Sequence, residues 1–254
     1  MKRKYLLIAS FLLVMVGLIG ISSVPVQALG EVKINSHSSF YSILNTYYVV
    51  GEVENTGDMA TRFTKITATF YNSSNQVIAI EDGYASIDVL LPGRKSPFSV
   101  MFNEWDGSLN VQNYTLSVSW DNYAAGKALG LEILLSSNYV DTYGNFHVTG
   151  EIENQGTVEA RFAKAYVTFY DSDGVVVGED WAFTEPLDLA PSAKGVFDVE
   201  LIYEQQVMKM ATYELSAESS EYGLIPEFLS YALMLIALTI VALAGVIYKK
   251  KLKS

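Results

Sequence analysis

Val49-Val50-Gly51-Glu52-Val53-Glu54-Asn55-Thr56-Gly57 returns 99 positions later as Val148-Thr149-Gly150-Glu151-Ile152-Glu153-Asn154-Gln155-Gly156. The same ungapped shift superposes Arg62-Phe63-Thr64-Lys65 on Arg161-Phe162-Ala163-Lys164 and Thr69-Phe70-Tyr71 on Thr168-Phe169-Tyr170. It also carries Pro92, Lys95 and Phe98 onto Pro191, Lys194 and Phe197. Between Val49 and Val77, 14 of 29 positions are identical, so the segment is a duplicated unit. A period near 100 residues exceeds that of solenoid repeats, about 20–50 residues, and fits one globular domain per copy.

Within each copy the apolar residues alternate, as a strand with one buried face requires. Phe146, Val148, Gly150 and Ile152 alternate with His147, Thr149, Glu151 and Glu153. Turn residues such as Asn55-Thr56-Gly57, Asp82-Gly83 and Pro92-Gly93 separate the runs, because Asn, Asp and Gly tolerate the backbone angles of tight turns. About seven short strands are expected in copy one, near residues 31–35, 46–54, 62–71, 76–81, 85–91, 96–102 and 113–120. The fold class is therefore all-β: two tandem immunoglobulin-like antiparallel β-sandwiches. Phe70 and Phe169 are expected to point inward. No cysteine occurs in the 254 residues, so apolar packing rather than disulfides must hold each sandwich.

Outward from the repeats, the two ends are membrane-directed. Lys2-Arg3-Lys4, the apolar run Tyr5 to Ile21 and the small-residue end at Ala28 have the order of a secretory signal, with cleavage after Ala28. Leu229 to Tyr248 is an uncharged stretch long enough for one bilayer crossing, and Lys249, Lys250, Lys251 and Lys253 follow it. The positive-inside rule puts those lysines in the cytoplasm and the repeats outside the cell. The expected organisation is a signal peptide 1–28, sandwich 29–122, linker 123–129 and sandwich 130–220. A stalk 221–228, a transmembrane helix 229–248 and a basic tail 249–254 complete it. Between Leu29 and Pro226 there are ten basic and 27 acidic residues, which disfavours nucleic acid as a partner.

Gly-Glu-(Val/Ile)-Glu-Asn-x-Gly, a strand ending Val167-Thr168-Phe169-Tyr170-Asp171 and a later Pro-x-x-Lys-x-x-Phe resemble the FxLYD domain family. The resemblance covers residues 31–121 and 130–219; Phe70 and Phe169 stand where the family has Leu, and Asn72 where it has Asp. It implies small β-sandwich modules of secreted and surface proteins, without catalytic residues. Pro226-Glu227-Phe228, the apolar span and the lysine cluster are similar to the Pro-Glu-Phe C-terminal sorting signals of archaeal surface proteins. That resemblance implies an archaeosortase-like processing enzyme as a partner, beside the alternative of a plain stop-transfer anchor.

Residues with chemical potential are few. Asp171-Ser172-Asp173-Gly174 reads as a hairpin turn, because an EF-hand loop would carry Glu where Ala182 stands. Glu81-Asp82 and Glu179-Asp180 are expected at surface strand ends. His37 and His147 occupy non-equivalent positions, so no metal site, cofactor or catalytic set is expected. Asn72-Ser73-Ser74 and Asn113-Tyr114-Thr115 are sequons for glycosylation at Asn72 and Asn113. Tyr47, Tyr48, Tyr166 and Trp181 are candidates for an exposed aromatic platform, with core packing as the plainer reading. The expected function is a non-catalytic, membrane-anchored surface protein that meets proteins or glycans or builds the envelope. The alternatives are an accessory binding subunit of a transporter, secretion or sugar-handling complex, and a hydrolase on the sandwich.

Overall fold

The computed structural model describes residues 29–103 and 111–226 and is all-β. Copy one contains β1 (Val32–Tyr41), β2 (Thr46–Asn55), β3 (Thr61–Tyr71), β4 (Val77–Tyr84), β5 (Val89–Leu90), β6 (Lys95–Asn103) and β7 (Asn113–Asn122). Copy two contains β8 (Ala128–Val140), β9 (Phe146–Asn154), β10 (Lys164–Tyr170), β11 (Val176–Phe183) and β12 (Lys194–Leu201). A single turn of helix, α1 (Glu204–Lys209), precedes β13 (Thr212–Glu218) and β14 (Tyr222–Leu224).

In copy one, β1-β2-β6 form one antiparallel sheet, and β3 pairs with β4, β5 and β7 in another. Alternation sends Val49, Val53, Phe98 and Val100 from the first sheet against Ile66, Ala68 and Phe70 from the second, in one apolar core. Copy two repeats this with β8-β9-β12 and β11-β10-β13, around Val148, Ile152, Val167, Phe169, Phe197 and Val199. Phe70 and Phe169 are both fully buried, as the alternation requires.

The Asn-x-Gly turn has a specific physical role. Asn55 and Asn154 are completely buried. Asn55 Nδ2 donates to the carbonyls of Met59 and Leu90, both at 2.8 Å, and its Oδ1 accepts from Gly57 N at 3.0 Å. Asn154 makes the same three bonds with Val158, Leu189 and Gly156. A buried polar side chain is tolerated because both N–H donors and the carbonyl oxygen are engaged. Just beyond, Phe63 and Phe162 both adopt positive φ, 50° and 54°, and both rings are exposed.

Four expectations need correction. β1 continues to Tyr41, well past residue 35, because Ser36 and Ser38 find partners in copy two. Of the segment 85–91, only Val89 and Leu90 are strand. Residues 222–224, expected in the stalk, form β14, which pairs antiparallel with β13 and parallel with β8. The buried Tyr222 ring explains this: it lies where side chains at Gly130 or Gly156 would collide with it, and its hydroxyl accepts from Thr157 N and Val158 N. β14 thereby joins the two sheets of copy two into one seven-stranded sheet, and β8 begins at Ala128, inside the expected linker.

No helix among the described residues is long and apolar enough to cross a membrane. The expected signal peptide, Glu227, Phe228, the span 229–248 and the basic tail lie outside the described residues.

Phe169→Ala is expected to cost about 3–5 kcal/mol, as large core truncations do. Asn154→Ala is expected to cost about 2–3 kcal/mol, since it strands buried backbone groups. Urea unfolding of each variant measures both; a loss below about 1 kcal/mol for Asn154→Ala would show that the turn does not depend on the amide.

Candidate functional site

Two groups of ionisable and aromatic side chains stand out: one at the junction between the copies and one at an end of copy two. At the junction the outer face of β1-β2-β6 meets the β10–β11 hairpin. Phe40 and Val50 pack on Tyr170 and Val176, with Tyr48 and Tyr203 at the margin of the same cluster. Val176 N donates to Ser36 Oγ at 2.9 Å, and Ser38 Oγ donates to the Val176 carbonyl at 2.6 Å.

Glu52 lies at the centre of this contact and is 3% exposed. Its carboxylate accepts a short hydrogen bond from the Tyr170 hydroxyl and pairs with Lys95 Nζ at 3.3 Å. Lys95 also pairs with Glu214 at 3.6 Å and sits over the Tyr170 ring. Burial, with the hydrogen bond to Glu52 and the charges of Glu52 and Glu214, raises the Tyr170 pKa far above its ordinary value, so the phenol stays protonated as donor. A second carboxylate, Glu218, pairs with Lys127 at 2.6 Å and accepts from the backbone N–H groups of Asp88 and Val89 in copy one. Arg94 reaches the Leu224 carbonyl across the same boundary.

Glu179 belongs to this junction and not to a surface strand end. Ser86 Oγ of copy one donates to it at 3.2 Å. Burial, reinforced by the charge of Asp180 and opposed by the Ser86 bond, pushes its carboxyl up to about 7. Glu81, the counterpart of Asp180, is exposed on β4, where the neighbouring Asp82 pairs with Lys65 at 3.0 Å and accepts from Thr67.

At the other place, strands distant in sequence assemble a cluster that no spacing announces. His147 Nε2 lies 3.7 Å from both Asp141 Oδ2 and Glu200 Oε1, and its Nδ1 lies 2.9 Å from Asp198 Oδ1. The ring stacks on Tyr139, with centroids 4.6 Å apart. Asp141, His147 and Glu200 can each turn one ligand atom toward a common point. Glu200 Oε1 is already engaged by Asn145 Nδ2 at 2.6 Å, so a cation would compete with that bond. A proton suits the arrangement without displacing anything. Burial opposes the charge, but the hydrogen bond and charge of Asp198, with Glu200 and Asp141 behind it, raise the His147 pKa. His37 faces the Tyr114 hydroxyl at 2.8 Å, and burial lowers its pKa.

The aromatic platform is overturned. Tyr47 and Tyr166 are buried, and Tyr48 is half-buried in the junction, where Tyr203 donates to its hydroxyl. Trp181 alone of the four is exposed, edge-on to Phe183 with Lys164 Nζ 4.2 Å from its ring centroid. Asp171 forms a hairpin turn, its Oδ1 accepting from Asp173 N and Val175 N. Asn72 makes the same turn in copy one through Ser74 N and Gln76 N, and Asn113 is exposed at the start of β7. Pro226 is half-buried at the last described position.

No family model matches the sequence, and no curated protein matches it. Among solved structures, the exo-chitosanase CsxA of Amycolatopsis orientalis aligns at 12% identity with a TM-score of 0.28. A variant of that enzyme in complex with PNP-β-D-glucosamine aligns at 11% identity with the same TM-score. Each alignment covers 74% of this chain and 26% of the other, and a TM-score that low carries no argument about fold or activity.

Two titrations check this electrostatic picture. In the folded state Glu179 holds its proton up to about pH 7, against 4.5 for a free glutamate, so folding favours its neutral form. Its contribution to stability is full below pH 4.5 and is lost as the pH rises to about 7. Glu179→Gln should therefore raise the melting temperature above pH 7 and change little below pH 4.5; equal effects at both would refute the buried carboxyl. NMR titration of the two histidines should place His147 above 6.5 and His37 below it, and Asp198→Asn should bring His147 down.

Proposed function

We propose that this chain is a non-catalytic, membrane-anchored cell-surface protein carrying two immunoglobulin-like β-sandwiches of FxLYD type, residues 29–122 and 130–220. The observation that carries the proposal is the serial arrangement. Two copies of one sheet pair are held at a junction whose buried charges are spent on each other: Glu52 on Lys95 and Tyr170, Glu218 on Lys127. A unit built this way spaces and orients its outer surfaces rather than enclosing a reaction. The acidic balance of the repeats suits an exposed, soluble ectodomain.

In this reading the chain enters the export pathway through residues 1–28, with cleavage after Ala28, and is retained by the span 229–248 with its lysines inside. Pro226-Glu227-Phe228 then serves as a sorting signal for an archaeosortase-like enzyme, and Asn72 and Asn113 carry glycans. Both asparagines lie on half-exposed or exposed backbone away from the junction, which suits modification.

N-terminal sequencing of the membrane-extracted protein should give a start near Leu29, and protease shaving of intact cells should remove the repeats. An intact Met1, or repeats that survive shaving while a surface control is digested, would overturn the reading. A mature C-terminus near Phe228 would mark sorting, and one at Ser254 a plain anchor.

A further inference from the structure

The junction uses two different faces of one duplicated unit, so each face exists twice in the chain and is covered only once. Copy one contributes the outer face of β1-β2-β6, and copy two the β10–β11 hairpin. The outer face of β8-β9-β12 on copy two and the β3–β4 hairpin on copy one remain open.

These open faces keep much of the chemistry of the covered ones. Lys194 and Glu151 stand at the positions of Lys95 and Glu52 and already pair at 2.9 Å. Tyr71 stands at the position of Tyr170, and its hydroxyl lies 3.3 Å from Thr115 Oγ1, as Tyr170 lies beside Glu214. Ser137 replaces Ser38, and Val77 replaces Val176. β1 and β8 even share the same bulge, before Ser36 and before Leu135. Tyr139 stacks on His147 at an interplanar angle of 4°, as Phe40 stacks on Tyr48.

Exposure separates the two sets. Val176 is buried, whereas Val77 is 55% exposed. Pro97 is buried, whereas Val196 in its place is 56% exposed. Leu135, Phe183 and Val196 line a shallow groove of about 640 Å³ on copy two that also includes Glu151 and Glu185. Ile80, exposed on the β3–β4 hairpin, stands where Glu179 stands on the other, and Glu185 stands where its partner Ser86 stands. In a contact that repeats the junction, Ile80 would therefore meet the apolar side chains of the groove beside Glu185.

We propose that a second copy of this chain docks its β3–β4 hairpin on the β8-β9-β12 face, repeating the internal junction between molecules. Tyr71 then donates to Glu151 beside Lys194, Val77 covers Tyr139 and Thr149, and Ile80 enters the groove. Such a contact joins unlike faces, so it propagates head to tail into open chains or closed rings instead of stopping at a symmetric dimer. The inference does not depend on membrane anchorage.

Sedimentation of the full-length protein, in detergent where it needs one, tests this with two exposed-site variants. Wild-type protein should form concentration-dependent species larger than dimers, while Val77→Asp alone and Val196→Asp alone lose association and keep the wild-type circular dichroism. Val77→Asp retains the groove and Val196→Asp retains the hairpin, so an equimolar mixture should form dimers and nothing larger. Wild-type protein that stays monomeric up to its solubility limit overturns the proposal, as does a mixture that stays monomeric or a single variant that associates like wild type. The sequence has no cysteine, so oxidation of mixed Val77→Cys and Ser137→Cys chains should give a crosslinked heterodimer. Crosslinking of Val77→Cys to itself as readily would mean a symmetric contact and would also overturn it.

Discussion

A carboxylate buried between two β-units leaves the chain little freedom. Glu52 is removed from water, and a buried charge without partners would cost several kcal/mol. Its two closest partners come from different copies: Lys95 lies beside it on the neighbouring strand, and the Tyr170 hydroxyl arrives from the other unit. The pair satisfies the charge only when the units sit at one distance and one angle. The remaining junction contacts follow from that placement, with Val176 against Phe40 and Val50 and Glu218 over the backbone of β5. Apolar burial supplies the adhesion, while the carboxylate selects the arrangement.

The sequence discloses as much of this as its periodicities carry. Duplication is plain because the shift needs no gap, and strand faces are plain where apolar residues alternate, as at Phe70 and Phe169. Ser36-His37-Ser38 offers no such alternation, since its serines bond to the backbone of a strand some 140 residues away. β14 escapes notice because three residues are too few to show a period; it is placed by its pairing with β8 and β13 and by the bulk of Tyr222 opposite Gly130 and Gly156. The His147 cluster is illegible for a further reason. Asp141, His147, Asp198 and Glu200 come from a turn and two strands, and their meeting depends on the pairing of β9 with β12.

Comparison of the copies separates what builds the unit from what each copy does with it. The buried Asn with its three bonds, the left-handed Phe and the paired sheets occur twice and belong to construction. The serine pair at the junction and the histidine cluster occur once each. Where copy one turns Phe40 and Tyr48 toward its neighbour, copy two presents Tyr139 and a protonatable imidazole. One scaffold position thus carries an aromatic contact in one copy and a charged, protonatable cluster in the other.

The parallel pairing of β14 with β8 has a mechanical consequence. The chain enters copy two through the start of β8 and leaves it through β14, and these segments lie side by side: Tyr222 opposite Ala128, Gly223 opposite Leu129. Tension applied between the exit and the entry drives the two strands past each other along their length. The hydrogen bonds between them then share the load and must yield together, whereas strands peeled from one end yield one bond at a time. Lys127, fastened to Glu218 and to the Ser219 carbonyl at the entry, adds an ionic latch to this shear clamp. A pull from the C-terminal side is therefore borne at the seam where β14 joins the two sheets of copy two, with the buried Tyr222 directly behind it.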